Sequence, residues 1–315
     1  MKTFASLFTG GGGADCGARM AGLKHLWGVE KNAAYGAIAQ LNGFNALVQD
    51  VQRTDWNKLK RPNWLHASPP CVNASIANSK GGETPLDIKL AEAVVCAIAH
   101  FLPDYFSLEN VRDYGRFESF DLITLELARL GYERSWVTLD AAEYGVPQHR
   151  DRLWLVASRK HNVSLPWPTH GNKQGQLDWI SETALDPFES WDKAIEGKLS
   201  KPTAPMSDRM IAKLPSAIYG THFCCGWEKS RVATRIPQGR PAPTITTTMD
   251  RPSKLPWVFT SGLMKEAMIA DVSALAALQS FPDDYQWGDS LPAARQAIGN
   301  ACPPLLVQRI VEEAI

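Results

Sequence analysis

A single cysteine in the segment ASPPCVNAS, residues 67–75, is a candidate nucleophile. Two prolines stiffen the chain directly before Cys71, and small polar residues follow it. A lone cysteine is most often a small buried apolar residue. Cys71, however, follows an apolar run typical of a strand, and open α/β sheets bind ligands at the carboxyl ends of their strands. It is therefore a candidate for covalent chemistry, provided that positive charge nearby favours the thiolate.

One acid and two arginines could complete such a site. Glu109 ends the apolar run YFSLEN, 38 residues after Cys71. An acid there is usually a paired structural residue, but at a neighbouring strand end it could meet a substrate in the same crevice. Arg150 and Arg152 lie two apart in QHRDR, so on a strand they would share one face. The two arginines either form surface salt bridges or act as a pair of cations that stabilises a nearby thiolate.

A second group of residues suggests a nucleotide-like ligand. The segment LFTGGGG, residues 7–13, places glycines after a first strand, where backbone can approach a ligand at a helix N-terminus. Glu30 ends the next predicted strand, at the position that commonly binds a ribose hydroxyl. Asp50 ends the third and could accept a hydrogen bond from an adenine amino group. The pattern favours an adenosine-containing cofactor, although a dehydrogenase-type Rossmann domain remains an alternative.

The elements that must position these residues alternate between strands and helices. Apolar runs predict strands at 2–8, 25–32, 46–50, 63–71, 105–111, 134–145 and 150–158, and helical spacing predicts helices at 14–23, 33–42, 87–102, 117–131, 272–281 and 303–315. Alternation of this kind predicts an α/β fold with a doubly wound, mostly parallel, Rossmann-like sheet. From about residue 160 the chain is rich in proline, tryptophan and glycine, which predicts a second, smaller irregular domain.

Composition narrows the class of protein. The 315 residues carry a formal net charge of zero, yet residues 229–254 hold six basic residues against one acidic residue. That excess could contact a phosphate backbone or be an ordinary solvated surface. The six cysteines show no metal-ligand spacing, so we expect no metal site. No apolar run is long enough for a membrane span and no signal peptide begins the sequence, so we expect a cytoplasmic protein.

Six segments, in this order, resemble the DNA cytosine-5 methyltransferase family of bacteria and phages. They are LFTGGGG, SPPC, ENV, QHRDR, GRPAPTITT, and finally LQSFPDDY with AIGNACPP. The resemblance covers nearly the whole chain and implies the S-adenosylmethionine-dependent methyltransferase fold. It also implies a catalytic domain of residues 1–158 plus 291–315, and a target-recognition domain of residues 159–290.

The resemblance implies a role for each matched residue. Cys71 would be the nucleophile, and Glu109, Arg150 and Arg152 would hold the target base. The cofactor S-adenosylmethionine would be bound by Phe8, Gly10, Gly12, Gly13, Glu30, Asp50, Pro70, Leu90 and Asn300. Four further residues would contact the duplex DNA or support the site: Ser75, Gln148, Arg231 and Arg240.

The implied reaction is methyl transfer to C5 of a flipped-out cytosine through a covalent Cys71–C6 adduct. We expect a monomer in a bacterial or phage-infected cell, with a possible cognate restriction endonuclease that makes no direct contact. One departure concerns the segment after Cys71, where Val72, Asn73 and Ala74 replace the glutamine and following residues usual in the family. The alternatives are methylation of transfer RNA, and a non-catalytic protein that binds DNA or regulates a partner enzyme.

Overall fold

The computed structural model describes residues 1–70, 82–171, 185–202, 222–225, 234–247, 255–259 and 267–315. The chain divides into two compact units. The first comprises Met1–Asp140, Asp151–Trp167 and Cys302–Ile315, and the second comprises Ala141–Arg150 and Pro168–Ala301. The predicted catalytic and target-recognition domains were defined by function, so their bounds at residues 158 and 291 stay predictions.

A seven-stranded sheet forms the centre of the first unit, as far as its residues are described. Its strands are β1 Thr3–Leu7, β2 Lys24–Glu30, β3 Ala46–Val48, β4 Trp64–Ala67, β5 Tyr105–Asn110, β6 Glu133–Asp140 and β7 Asp151–Ser158. They lie in the order β3-β2-β1-β4-β5-β7-β6. The first five strands pair in parallel, and β7 runs antiparallel between β5 and β6. The carboxyl ends of β1, β2, β4 and β5 therefore meet at one edge of the sheet.

Eight α-helices occur in the described residues. They are α1 Gly13–Met20, α2 Ala33–Leu41, α3 Pro85–Phe101, α4 Glu118–Arg129, α5 Trp191–Ala194, α6 Val272–Leu278, α7 Leu291–Asn300 and α8 Pro304–Ala314. The start of α3 shows why the sequence folds locally in this way. Thr84 and Asp87 form a capping box, and Pro85 occupies the first helical position, where its missing N–H costs nothing. None of the helices in the described ranges is long and apolar enough to cross a membrane.

Helices cover both faces of the large sheet. Apolar side chains of α3 and α4 pack with Leu7, Val29, Leu65 and other strand residues that point to one face. On the other face, α1 packs against α8, and Gly17 makes their close approach possible. A Cβ atom at Gly17 would lie 2.4 Å from the carbonyl oxygen of Pro304.

The second unit contains a smaller antiparallel sheet. Its four strands are β10 His222–Cys225, β11 Thr234–Pro237, β12 Trp257–Phe259 and β13 Met268–Ile269, in the order β11-β10-β12-β13. The short strands β8 His170–Gly171 and β9 Asp186–Pro187 pair separately. The predicted fold class is confirmed, since the structure has a mostly parallel α/β sheet and a smaller second unit.

Candidate active site

The glycine segment after β1 is held against the end of β2. Phe8, Gly10 and Gly12 all have positive φ angles, of 61°, 57° and 87°. The Gly10 N–H donates to one carboxylate oxygen of Glu30 at 2.7 Å, and the Asn32 N–H donates to the other at 2.7 Å. Burial raises the pKa of Glu30, and these backbone hydrogen bonds oppose that shift. A Cβ atom at Gly10 would meet nothing within 4 Å, so open space lies beside this backbone.

Asp50 lies just after β3, next in order across the sheet. Its carboxylate accepts from Lys31 Nζ at 2.8 Å and from the Gln52 N–H at 3.0 Å. The hydrogen bond from Lys31 is the main reason that the pKa of Asp50 is lowered. Because β1, β2 and β3 are adjacent, the structure brings the glycine segment, Glu30 and Asp50 to consecutive strand ends. These are the positions that an extended adenosine group would need.

The remaining predicted cofactor residues are distributed between the two units. Leu90 of α3 is buried, and Phe8 is partly buried against the same apolar cluster. Pro70 is exposed and follows β4, while Gly12 and Gly13 are buried at the start of α1. Asn300 is the exposed last residue of α7 and belongs to the second unit. A cofactor role for each of these residues stays a prediction.

Glu109 and Arg152 form an ion pair in the first unit. Glu109 is 6% exposed near the end of β5, and its Oε1 lies 3.3 Å from Nε of Arg152, close to the start of β7. The next residue, Asn110, donates from Nδ2 to the carbonyl oxygen of Pro69 at 3.0 Å. Sequence analysis did not single out Asn110, although its place directly after Glu109 was a signal. The segment of Glu109 and Asn110 therefore carries the acid and also holds Pro69, which lies two residues before Cys71.

Arg150 and Gln148 have other partners, all in the second unit. Arg150 is 2% exposed, and its guanidinium donates to the carbonyl oxygens of Ile245 and Gly299, each at 3.1 Å. Gln148 accepts from the Ile245 N–H at 2.6 Å and donates to the Leu278 carbonyl at 3.1 Å. The shared face predicted for Arg150 and Arg152 required both residues to lie in one strand, and Arg150 precedes the first residue of β7, so this expectation stays a prediction. The alternation of strand side chains therefore does not include Arg150.

Sequence analysis also missed Gln279, which extends the polar cluster around Gln148. It is fully buried at the end of α6 and donates from Nε2 to the carbonyl oxygen of Ile298 at 2.8 Å. The sequence signal for Gln279 was its place among apolar residues in LQSF, which indicates burial. A buried glutamine side chain must find hydrogen-bond partners. The cluster joins three distant stretches of the second unit through side chain to backbone hydrogen bonds.

Three predicted site residues lie outside the described residues: Cys71, Ser75 and Arg231. Arg240 is described and exposed, just after β11. Four of the other cysteines, Cys16, Cys224, Cys225 and Cys302, are buried. Burial raises the pKa of Cys224 to about 12 and that of Cys225 to about 11, so neither is a thiolate near neutral pH. Over the described ranges, no cluster of three or more His, Cys, Asp or Glu could hold a metal.

A buried histidine lies beneath the strand ends. His66 in β4 is 1% exposed, and its Nδ1 is 2.8 Å from Oγ of Ser107. Ser107 accepts from Nε1 of Trp64 at 2.8 Å, and Sγ of Cys302 lies 3.8 Å from Nε2 of His66. Burial lowers the pKa of His66 to about 4, despite an opposing contribution from Asp15. The imidazole is therefore neutral at physiological pH.

His66 predicts a loss of stability in mild acid. Between pH 6.5 and 4 the unfolded chain binds a proton at this histidine and the folded chain does not, so the free energy of unfolding falls as pH falls. The expected loss is about 2 kcal/mol between pH 7 and pH 5, measured by denaturant unfolding. His66→Gln should flatten this dependence, whereas His100→Gln, which removes an exposed histidine, should keep it. An unchanged slope in His66→Gln would contradict the assignment.

Comparison with known proteins gives consistent results along the whole chain. A family model described as C-5 cytosine-specific DNA methylase matches residues 2–315. The type II methyltransferase M1.HphI of Haemophilus parahaemolyticus is 28% identical, over 99% of this chain and 86% of that protein. The type II methyltransferase M.BspRI of Lysinibacillus sphaericus is 25% identical, over 98% and 80%. Among solved structures, the S. pombe Dnmt2 methyltransferase has a TM-score of 0.71 at 15% identity, over 99% and 98%, and supports the fold.

Proposed function

The chain belongs to the family of C-5 cytosine-specific DNA methylases, and on that premise we propose how it acts. It transfers a methyl group from S-adenosylmethionine to C5 of a cytosine that has been flipped out of duplex DNA. Cys71 is the nucleophile and forms a covalent adduct at C6 of the base. Membership of the family gives the class of reaction. The methyl donor, the flipped-out base and the covalent Cys71 adduct are what we propose.

The arrangement around Glu109 carries this proposal. A nearly buried carboxylate lies within ion-pair distance of Arg152, and the adjacent Asn110 holds the carbonyl of Pro69. Pro69 precedes Cys71 by two residues. An acid, a cation and the segment leading to a thiol are therefore gathered where β4 and β5 end, which is the part of an open α/β sheet that binds ligands.

The residues at the ends of β1, β2 and β3 fit S-adenosylmethionine. Glu30 presents buried carboxylate oxygens that suit ribose hydroxyls, Asp50 could accept from the adenine amino group, and Gly10 leaves open space beside its backbone. When bound, the cofactor supplies a methyl group made electrophilic by its sulfonium. The roles of Phe8, Gly12, Gly13, Pro70, Leu90 and Asn300 in holding it belong to the same proposal.

The side chains of this protein activate the base. C5 of cytosine is a poor nucleophile, so the thiolate of Cys71 adds to C6, and the displaced electron pair raises the electron density at C5. A proton held between the carboxyl group of Glu109 and N3 of the bound base favours that shift, while Arg152 stabilises charge on the O2 side. Once C5 is methylated, a water molecule takes up the C5 proton, and the electron pair of that C–H bond re-forms the C5–C6 double bond as the thiolate leaves C6, which restores the aromatic ring. Arg150, held by two backbone carbonyls, would keep the segment before Arg152 in place.

Access to the base requires that it leave the helix. Within duplex DNA the N3 edge is paired and the ring faces at C5 and C6 are covered by stacked neighbours, so the base must be flipped out, which costs a few kcal/mol of pairing and stacking. We assign contacts with the DNA to residues 159–290, including Arg231 and Arg240, where basic residues cluster. Ser75 would contribute from the segment after Cys71, and Gln148 would have a supporting role. A companion restriction endonuclease for the same sequence stays a prediction.

Transfer of label tests the proposal directly. The protein is incubated with S-adenosylmethionine labelled with tritium in its methyl group, together with mixed duplex DNA or with transfer RNA. Label recovered as 5-methylcytosine in the DNA supports the proposal. Label only in RNA would move the substrate to RNA, and no label in either would favour a non-catalytic DNA-binding role.

A further inference from the structure

A chain of side-chain hydrogen bonds beneath the glycine segment plays no part in the chemistry described above. Oγ1 of Thr9 lies 2.9 Å from Oγ of Ser6, and Ser6 donates to Oδ1 of Asp15 at 2.8 Å. A hydroxyl has one proton, and that of Ser6 is used on Asp15, so Thr9 is the donor in the Thr9–Ser6 pair. The carbonyl oxygen of Val29, 3.4 Å from Oγ1 of Thr9, is a second and longer acceptor for the same proton. The result is a directed chain, from Thr9 to Ser6 to Asp15.

The far end of this chain is firmly anchored. Asp15 is fully buried in the first turn of α1, where the helix dipole favours a carboxylate. Its Oδ1 also lies 2.9 Å from Nε2 of His25 in β2. The hydroxyl chain therefore ends on a buried carboxylate that is held in the backbone of α1 and lies next to β2.

The sequence of β2 leaves room for the two hydroxyls. A Cβ atom at Gly28 would lie 2.3 Å from Oγ1 of Thr9 and 2.9 Å from Oγ of Ser6. Any larger residue at Gly28 would therefore push the Thr9–Ser6 pair apart. A glycine within a strand costs conformational entropy and loses side-chain packing, so Gly28 indicates that no larger side chain fits beside the two hydroxyls.

Thr9 stands between two residues of unusual backbone conformation. Phe8 has a φ of 61°, which is strained for a residue with a side chain, and Gly10 has a φ of 57°. The backbone of Thr9 is held by its N–H donating to the Val29 carbonyl at 3.1 Å and by its own carbonyl accepting from Gly12 at 3.0 Å. The hydroxyl chain adds a side-chain restraint to this turn, beside Glu30, which accepts from the Gly10 N–H, and Ser68, which donates to the Phe8 carbonyl oxygen at 3.4 Å.

We infer that Thr9 is a positioning residue for the methyl donor, acting through Phe8 and Gly10. Its hydrogen-bonded chain to Asp15 keeps these two residues in the left-handed conformation that shapes the pocket beside Glu30. The inference rests on the proposed function, since it assumes that this segment binds S-adenosylmethionine. A role in folding alone would instead weaken the protein without a selective effect on that ligand.

Three variants separate these readings. Thr9→Val removes the hydroxyl at nearly constant shape, and Thr9→Ser restores it. Thr3→Val is the matched control, because Thr3 begins β1, the strand that leads into this turn, and its hydroxyl bonds to Asn63 at the far end of that strand. For each variant the KM values for S-adenosylmethionine and for DNA, kcat, and the thermal midpoint are measured, with calorimetric binding of S-adenosylhomocysteine as a readout independent of turnover.

Thr9→Val should raise the KM for S-adenosylmethionine about five- to tenfold, the effect of one lost hydrogen bond, with kcat and the KM for DNA within about twofold of wild type. Thr9→Ser should return the KM to within about twofold, and Thr3→Val should lower only the thermal midpoint. An unchanged cofactor KM in Thr9→Val, no rescue by Thr9→Ser, or an equal rise in Thr3→Val would overturn the inference. Failure of the wild-type protein to bind S-adenosylhomocysteine would overturn the proposed cofactor as well.

Discussion

Cys71→Ser should abolish methyl transfer, with a fall in kcat of roughly 10³-fold or more. Serine is nearly the same size as cysteine, but its hydroxyl ionises far less readily than a thiol, whose ordinary pKa is about 8.5. Without addition at C6, C5 stays too electron-poor to accept a methyl group. Binding of DNA and of S-adenosylhomocysteine should persist, because the substitution removes a reacting atom and leaves both binding surfaces.

Cys96→Ser is the matched control for Cys71→Ser. Cys96 is exposed in the middle of α3, remote in sequence from any strand end, and its replacement should leave the rate unchanged. DNA containing 5-fluorocytosine provides a second measurement, because fluorine at C5 cannot leave as the proton does and the adduct persists. A complex that survives denaturing electrophoresis is expected with wild type and with Cys96→Ser. Its formation with Cys71→Ser would assign the adduct to another residue.

Glu109→Gln should lower kcat by about 10²- to 10³-fold, the usual range for a positioned proton donor. The amide keeps the size of the side chain and can still donate a hydrogen bond, but it cannot share a proton with N3 of the bound base. In the free protein it also no longer forms the ion pair with Arg152, 3.3 Å away. The affinity for S-adenosylhomocysteine should change little, because Glu109 is not among its proposed contacts. Single-turnover measurement of labelled DNA separates this effect on chemistry from product release.

Glu126→Gln is the control for loss of a glutamate paired with an arginine. Glu126 pairs with Arg129 at 2.7 Å on the surface of α4, so both substitutions remove a Glu–Arg pair. An exposed pair of this kind contributes at most about 1 kcal/mol to stability and nothing to the reaction. Equal rates for Glu109→Gln and wild type would remove Glu109 from the proposed chemistry.

Much of the framework could be predicted from sequence because it depends on local patterns. The alternation of apolar strands and helices predicted the parallel sheet, and in such a sheet the carboxyl ends of the parallel strands lie at one edge. Glu30, Asp50 and Glu109 were therefore placed correctly at strand ends from their position after apolar runs. Their electrostatic environment was not predictable, because the burial of Glu30 and the Lys31 contact of Asp50 depend on packing.

Contacts between distant residues were beyond sequence reasoning. Arg150 binds carbonyl groups 95 and 149 residues away in the chain, and a backbone acceptor leaves no trace in the sequence. Ser6, Thr9 and Asp15 were overlooked for a related reason, since Ser, Thr and Asp near a helix start usually act as caps. The residue that could have revealed them was Gly28, a glycine inside an otherwise regular strand.

The packing of α8 on α1 determines when the first unit can be completed during synthesis. Lys2 Nζ donates to the carbonyl oxygen of Ile315 at 3.3 Å, so the two ends of this chain meet. The strands made first on the ribosome lack one of their covering helices until residues 302–315 emerge, some 150 residues after β7. Apolar surface that α8 will cover is exposed to chaperones throughout that interval. The fold therefore matures only after translation has passed the entire second unit.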